Sequence, residues 1–261
     1  MNIEALLRLF SLHDKVALVT GASGGIGQAL AAGLATAGAT VALSGRSTEK
    51  LADLQQTIRA DGGEAHVFPA DLAELSAIPT LVNAVVEQCG PIDILVNCAG
   101  TNQRMPITEM TPEIYDRIMA TNLRSAYFLS QAVLPHMVKQ GGGKIINIGS
   151  LTSSIGLMDV SVYGMTKSAM AQMTKTMAIE WAQHNVQVNC LCPGFIETEL
   201  TAPLWASPTR SAWILDRLPN KRPGKPEDLV GIAIYLASPA SDYMTGQTMY
   251  VDGGFLAGSQ W

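Results

Sequence analysis

The sequence predicts an α/β fold, a single doubly wound domain whose mainly parallel sheet is flanked by helices on both faces. Three observations predict it. Short β-branched runs alternate with longer helical stretches along the chain. Those runs are almost continuously apolar, as strands covered on both faces must be. A cluster of glycines stands directly between the first run and the first long helical stretch.

The first strand is KVALVT (15–20), and the helix IGQALAAGLATAG follows its glycine turn. TVALSG (40–45) leads into the helix STEKLADLQQTIRADGG, and AHVFPA (65–70) into LVNAVVEQCG. Strand IDILVN (92–97) precedes an apolar stretch from Asn122 to Lys139, which runs on to KIINIG (144–149). A long helix from Val162 to His184 separates that strand from VQVNCLC (186–192), and QTMYVD (247–252) is the last strand. Glycine-rich exits after Ala60 and Gln140 mark helix ends. Repeated βα units imply right-handed crossovers and hence parallel pairing. No linker, repeat or low-complexity tract interrupts the pattern, so residues 1–261 read as one domain.

Composition narrows the function. Hydrophobic residues make up 48% of the chain, enough for a packed core. Acidic residues outnumber basic ones, 22 to 17, and no basic run occurs, which argues against a nucleic-acid surface or a polybasic membrane contact. The opening MNIEALLRLFSLHDK carries Glu4 and Arg8 within its apolar stretch and lacks a small-residue cleavage site, so it does not read as a signal peptide. No uncharged stretch is long enough to span a bilayer. A cytoplasmic protein is expected, and Cys89, Cys98, Cys190 and Cys192 then read as buried reduced thiols. Cys190 and Cys192 lie on one face of their strand, yet no second pair of ligands accompanies them, so no metal site is expected.

The glycine turn reads Thr20-Gly21-Ala22-Ser23-Gly24-Gly25-Ile26-Gly27. Glycines permit the tight turn, the approach of a diphosphate to the backbone and close helix–strand packing. The helix that follows offers free N–H groups and a positive dipole end to phosphates. Many turns need glycine. The placement between strand one and helix one is what points to a dinucleotide and a Rossmann-type domain.

A second pattern is Tyr163 and Lys167, separated by three residues in SVYGMTKSAM. On a helix both project from one face. A tyrosine beside a solvated lysine is the plain reading. The chemical one is that a free phenol, with pKa near ~10, needs a neighbouring cation to act as a base at neutral pH.

Together the TGxxxGxG spacing, Asn97-Cys98-Ala99-Gly100 after strand four, Ser150, the YxxxK pair and Pro193-Gly194 resemble the short-chain dehydrogenase/reductase family from about Lys15 to Phe255. The family's usual NNAG appears here as NCAG. The resemblance implies a catalytic set of Asn122, Ser150, Tyr163 and Lys167. Tyr163 is implied to exchange the proton while hydride passes between substrate carbon and nicotinamide. Ser150 orients the reacting oxygen, and Lys167 also holds the nicotinamide ribose. Asn122 would complete a water relay to the lysine, although an asparagine satisfying local backbone groups fits the sequence too.

Cofactor contacts implied by the resemblance are Gly21, Ser23, Gly25, Ile26 and Gly27 in the turn, and Asn97, Ala99 and Gly100 after strand four. Asp71 and Leu72 would contact adenine. Pro193 and Gly194 shape the turn after strand six, where the Ile196 backbone and the Thr198 hydroxyl would hold the carboxamide. Strand two ends at Gly45-Arg46-Ser47, with no acid for a ribose 2′-OH. Arg46, with Ser44 and Ser47, suits a 2′-phosphate, so NADP is preferred over NAD. A helix-cap region with a surface arginine is the alternative.

Residues 199–224, with Trp205 and Trp213, are the expected substrate lid. Arg104, in TNQRMPI, is placed to pair with a substrate carboxylate or to be a solvated surface residue. LFSL…KVALVTG, PIDILVNCAGTNQRMPI, KIINIGSLTS, ETELTAPLW and YVDGGFLAG resemble the gluconate 5-dehydrogenases and related sugar-acid dehydrogenases. That resemblance implies a small carbonyl or alcohol substrate, such as 5-ketogluconate and gluconate. An acyl-carrier-protein β-ketoacyl reductase, or a broad carbonyl reductase, is the rival. Phe128 and Ile179 occupy the positions of that rival's docking arginines, and the acidic chain would repel an acidic carrier. A nucleotide-binding sensor without catalysis is the reading from another class. Family members usually form tetramers through the helices that correspond to 122–139 and to the Met170, Met173, Met177 stripe, and often use the tail FLAGSQW at another interface.

Overall fold

The computed structural model describes residues 2–258. The chain opens with α1 (Ile3–Phe10), capped by the Asn2 side chain, a helix absent from the sequence expectation. Then follow β1 (Val16–Thr20), α2 (Gly25–Thr36), β2 (Thr40–Gly45), α3 (Thr48–Ala60), β3 (Glu64–Pro69), α4 (Ala77–Cys89) and β4 (Ile94–Asn97). The second half runs α5 (Pro112–Met119), a π-helical turn (Ala120–Arg124), α6 (Ser125–Gln140), β5 (Gly143–Ile148), α7 (Ser161–Trp181) and β6 (Val186–Pro193). Two helices, α8 (Ala202–Trp205) and α9 (Pro208–Arg217), precede α10 (Val230–Ala237) and β7 (Thr248–Val251).

The seven strands form one sheet in the order β3-β2-β1-β4-β5-β6-β7, with every neighbouring pair parallel. The chain builds outward from β1 to β3, then returns to pair β4 on the other side of β1. That reversal opens a crevice at the carboxyl ends of β1 and β4, the place where such sheets hold ligands. Apolar runs explain the central strands: β1, β4 and β6 are buried along their whole lengths, whereas the edge strand β7 is half-buried throughout.

Each sheet face carries its own core. Val19, Leu43 and Val96 pack with Leu30 and Leu34 of α2 and Leu236 of α10 on one face. Leu18, Leu95 and Val188 pack with Leu129 of α6 and Met170 and Met177 of α7 on the other. A third cluster lies outside the sheet, where Leu204, Ile214 and Leu218 of segment 199–224 cover Leu151 and Phe195. Cys190 and Cys192 lie buried on one strand face with their sulfurs 3.6 Å apart, while Cys89 and Cys98 are only half-buried.

Candidate active site

The first wall of the crevice is the glycine turn. Gly21 has φ +67°, a left-handed backbone that a side chain strains, and a Cβ there would meet the Ala99 backbone at 2.9 Å. A Cβ on Gly27 would come within 2.2 Å of the Gly21 carbonyl oxygen, so helix and turn pack at backbone distance. Thr20 ties this wall to the next. Its hydroxyl donates to the Val96 carbonyl and accepts the N–H groups of Cys98 and Ala99, both at 3.1 Å. The N-terminus of α2 carries no side-chain cap and no acidic residue in its first turn. Four of its sister helices, α1, α3, α5 and α9, are capped by Asn2, Ser47, Thr111 and Ser207. A bare helix start beside glycines fits a diphosphate.

At the end of β2 the expected trio separates. Ser44 is 1% exposed with its hydroxyl turned inward, and Ser47 caps α3 by accepting the Lys50 N–H at 3.3 Å. Neither serine is therefore presented to a phosphate. Arg46 is exposed and has no ion pair among the described residues, so a free guanidinium stands where a 2′-phosphate would come. After β3, Asp71 is exposed and accepts the Ala73 N–H, whereas the Leu72 side chain joins the core.

After β4 the chain divides its polar groups between support and site. Asn97 is buried and its amide donates to Ser130 at 2.9 Å and to Asn147 at 2.8 Å, and Asn147 in turn donates to Thr174. This network pins β4 and β5 to α6 and α7 below the crevice. Gly100 lines the opening: a Cβ there would stand 3.6 Å from Asn122 Oδ1 and 3.8 Å from Lys167 Nζ. Asn122 is fully buried in the π-helical turn. Its carboxamide accepts the Thr101 N–H at 2.7 Å and donates to the Thr101 carbonyl at 2.9 Å and to Thr166 at 3.2 Å. The side chain thus docks the β4 loop to α7, and a π turn of this kind often accompanies a functional position.

Tyr163 and Lys167 lie one turn apart on α7, with Lys167 Nζ 5.6 Å from the tyrosine ring centroid. Lys167 is buried and donates to the Ile148 carbonyl at 2.6 Å. Ser150 follows β5, starting the short turn Leu151–Ser153, and is held against α7 by its neighbours. The Ser153 hydroxyl accepts the Ser150 N–H at 3.3 Å and donates to the Lys167 carbonyl at 2.8 Å, while Ser168 donates to the Thr152 carbonyl. Ser153 and Ser168 thus brace the turn after β5 against α7.

Beyond β6, Gly194 donates to the Val251 carbonyl and sits against Asp252. The Ile196 carbonyl accepts the Thr201 hydroxyl at 2.6 Å, and the Thr198 methyl faces Gly25 across the crevice. Segment 199–224 leaves and returns at one place, because Ile196 and Gly224 form a parallel bridge. Trp205 packs in the cluster over Leu151, and Trp213 is stacked by the Arg217 guanidinium at 4.2 Å. Arg104 is exposed. Its guanidinium is pushed below the usual range by partial desolvation and then by repulsion from Arg210, with Tyr163 and Asp159 opposing. Motif reading passes over Thr20, Asp159 and Arg210. Thr20 could be found from its place before the glycines, but no local pattern joins the other two to Arg104.

A bare helix start over a glycine turn, a free arginine beyond β2 and a tyrosine–lysine pair define an NAD(P)-dependent oxidoreductase. The chain belongs to the short-chain dehydrogenase/reductase family. A family model described as enoyl-(acyl carrier protein) reductase matches residues 21–256. Gluconate 5-dehydrogenase of Gluconobacter oxydans is 43% identical over 94% of this chain and 96% of its own. The 2-dehydro-3-deoxy-D-gluconate 5-dehydrogenase of Escherichia coli is 44% identical over 97% and 99%. The crystal structure of a gluconate 5-dehydrogenase from Burkholderia cenocepacia, in complex with NADP and tartrate, superposes with a TM-score of 0.94 at 40% identity, covering 97% of this chain and 99% of that one.

Proposed function

We propose that this protein interconverts a sugar acid and its keto acid, with reduction of 5-keto-D-gluconate by NADPH as the leading reaction. The observation that carries the reading is Arg104 on the β4 loop, tied to the entry of the Tyr163 helix by its neighbour Met105, whose N–H donates to the Asp159 carbonyl at 3.0 Å. It gives a substrate carboxylate a partner beside the group that handles the proton.

NADP, when bound, supplies the hydride acceptor, and NADPH the donor. Gly21, Ser23, Gly25, Ile26 and Gly27 hold the diphosphate, and Arg46 takes the 2′-phosphate. Asp71 and the backbone of Leu72, Asn97, Ala99 and Gly100 would border the adenosine and ribose, and Pro193, Gly194, Ile196 and Thr198 would border the nicotinamide. Ser150 hydrogen-bonds the reacting oxygen and fixes it against Tyr163. Tyr163 gives its phenolic proton to the carbonyl oxygen in reduction and takes it back in oxidation. Lys167 stabilises the phenolate left behind, and Asn122 holds the loop and helix that carry the proton onward. Segment 199–224 acts as the lid.

The same reading places the enzyme in the cytoplasm, in carbohydrate metabolism, as a homotetramer. Supporting assembly, a groove of about 1070 Å³ runs along α5, α6 and α7, lined by Met119, Tyr127, Phe128, Met173, Met177 and Trp181. Its apolar lining is the kind that helices of neighbouring subunits cover. For the tail, Ser259, Gln260 and Trp261 lie outside the described residues.

The test follows nicotinamide absorbance with 5-keto-D-gluconate and NADPH, with NADH and an acetoacetyl thioester in parallel. Faster oxidation of NADPH than NADH by the keto acid is expected. Preference for the thioester would overturn the reading in favour of an acyl-carrier-protein reductase. That outcome would be unexpected for a surface with Ile179 at 80% exposure where a docking arginine would stand.

A further inference from the structure

Arg210 lies in the first turn of α9, with its Nη2 3.5 Å from Asp159 Oδ2. Asp159 has a left-handed backbone, φ +66°, an unusual conformation for a residue with a side chain and one that recurs at functional sites. Its carbonyl accepts the N–H of Met105 at 3.0 Å, the residue next to Arg104. Asp159 also stands two residues before the start of the Tyr163 helix. One residue therefore gathers three segments: the β4 loop with Arg104, the entry to α7, and the covering segment with Arg210.

The charges do not balance. Arg104 and Arg210 repel one another, and Asp159 is the carboxylate that offsets them. Apart from Lys167, which stands at Tyr163 itself, two cations against one anion leave a single positive charge where the β4 loop, the α7 entry and the covering segment meet. A protein keeps such a mismatch where a ligand completes it. The deficit equals one carboxylate.

We propose that Arg210 is the covering segment's half of a two-arginine clamp, with Arg104, that selects substrates bearing one carboxylate remote from the reacting carbonyl. Asp159 holds Arg210 in place until that carboxylate arrives. This inference rests on the sugar-acid reading and adds to it the residue by which the lid senses charge. A neutral ketose would leave one of the two guanidiniums uncompensated, which is discrimination by a missing partner as much as by attraction. Since Arg210 sits on the covering segment and Arg104 on the β4 loop, the same carboxylate would also draw the two together over the reacting carbon.

The experiment compares wild type, Arg210→Ala and Arg210→Lys with NADPH on 5-keto-D-gluconate and on the neutral ketose L-sorbose. It adds calorimetric titration of tartrate into each protein saturated with NADP, a readout that needs no turnover. Loss of one charge-assisted contact is expected to raise the keto-acid KM of Arg210→Ala by roughly 10- to 100-fold. Its KM for sorbose should rise far less than its keto-acid KM, and tartrate affinity should fall in step with the keto-acid effect. Arg210→Lys should recover part of the loss, since it keeps the charge and gives up the fork. An unchanged keto-acid KM in Arg210→Ala, or an equal rise for both substrates, overturns the clamp. Wild type without any keto-acid turnover overturns the sugar-acid reading instead. The clamp is then decided by tartrate: weaker binding to Arg210→Ala than to wild type supports it, and equal or absent binding to both overturns it.

Discussion

Lys50, in the first turn of α3, and Glu199, just past Thr198, form an ion pair with Nζ 2.8 Å from Oε2 and 3.0 Å from Oε1. The two residues follow β2 and β6, strands separated in the sheet by β1, β4 and β5. The pair therefore bridges the crevice proposed for the dinucleotide. Both side chains are well exposed, so the bond is a weak latch, screened by salt. Glu199→Gln should speed cofactor release by about 2- to 5-fold at low salt, and the difference from wild type should vanish at high salt. Stopped-flow displacement of NADPH across a salt series measures this. A salt-independent difference would count against the latch.

Tyr163→Phe removes one oxygen and leaves the ring beside Lys167. Turnover should fall by about 10²- to 10⁴-fold, the usual worth of a positioned acid or base. NADPH binding, followed by quenching of intrinsic fluorescence, should stay close to wild type. Near-normal turnover would remove Tyr163 from the chemistry.

Two glycines separate folding from function. At Gly100 an added methyl finds ordinary contact distances to Asn122 and Lys167, 3.6 and 3.8 Å, so Gly100→Ala should fold and melt nearly as wild type does. That methyl would occupy the opening beside Lys167, and the expected result is a higher Kd for NADPH. At Gly27 the methyl would lie 2.2 Å from a carbonyl oxygen, so Gly27→Ala should lower the melting temperature as well as the affinity. Thermal melts with and without NADPH distinguish the two outcomes.

Arg222 and Asp228 lock the end of the covering segment. The guanidinium donates to both carboxylate oxygens, at 2.6 and 2.9 Å, and the Lys225 N–H donates to one of them. The Arg222 hydrogen bonds, followed by the Lys225 amide, hold the Asp228 carboxyl down to about 2 from its ordinary 3.8. A depressed folded value means the pair stabilises the fold fully above pH 3.8 and loses that contribution as pH falls toward 2. Asp228→Asn should melt slightly earlier than wild type at neutral pH, and the gap should close across that window. The contribution is small because both groups face solvent.

Much of this architecture was legible from residue order. TVALSG was expected at 40–45, and β2 occupies those residues, because a buried parallel strand writes its whole length in apolar and β-branched side chains. The glycine turn and the Tyr163–Lys167 pair are local patterns, readable because their partners are a few residues away. Four features were not readable in this way. Helix α1 has no buried residue, so its short amphipathic pattern carries no core signal. The π turn at Asn122 depends on a carboxamide bonded to Thr101, a contact between distant segments. Ser44 looks like a ligand in sequence and turns inward because it occupies a buried strand position. Asp159 and Arg210, likewise, meet only through the tertiary fold.

The Ile196–Gly224 bridge makes the stretch between them a cassette with a closed seam. Its own small core of Leu204, Ile214 and Leu218 rests on the domain without entering the sheet. On the lid reading, new residues beyond Glu199 would change what the enzyme accepts while the strands and the Tyr163–Lys167 pair stay as they are. One scaffold can then serve a series of related acids by exchanging a single removable part.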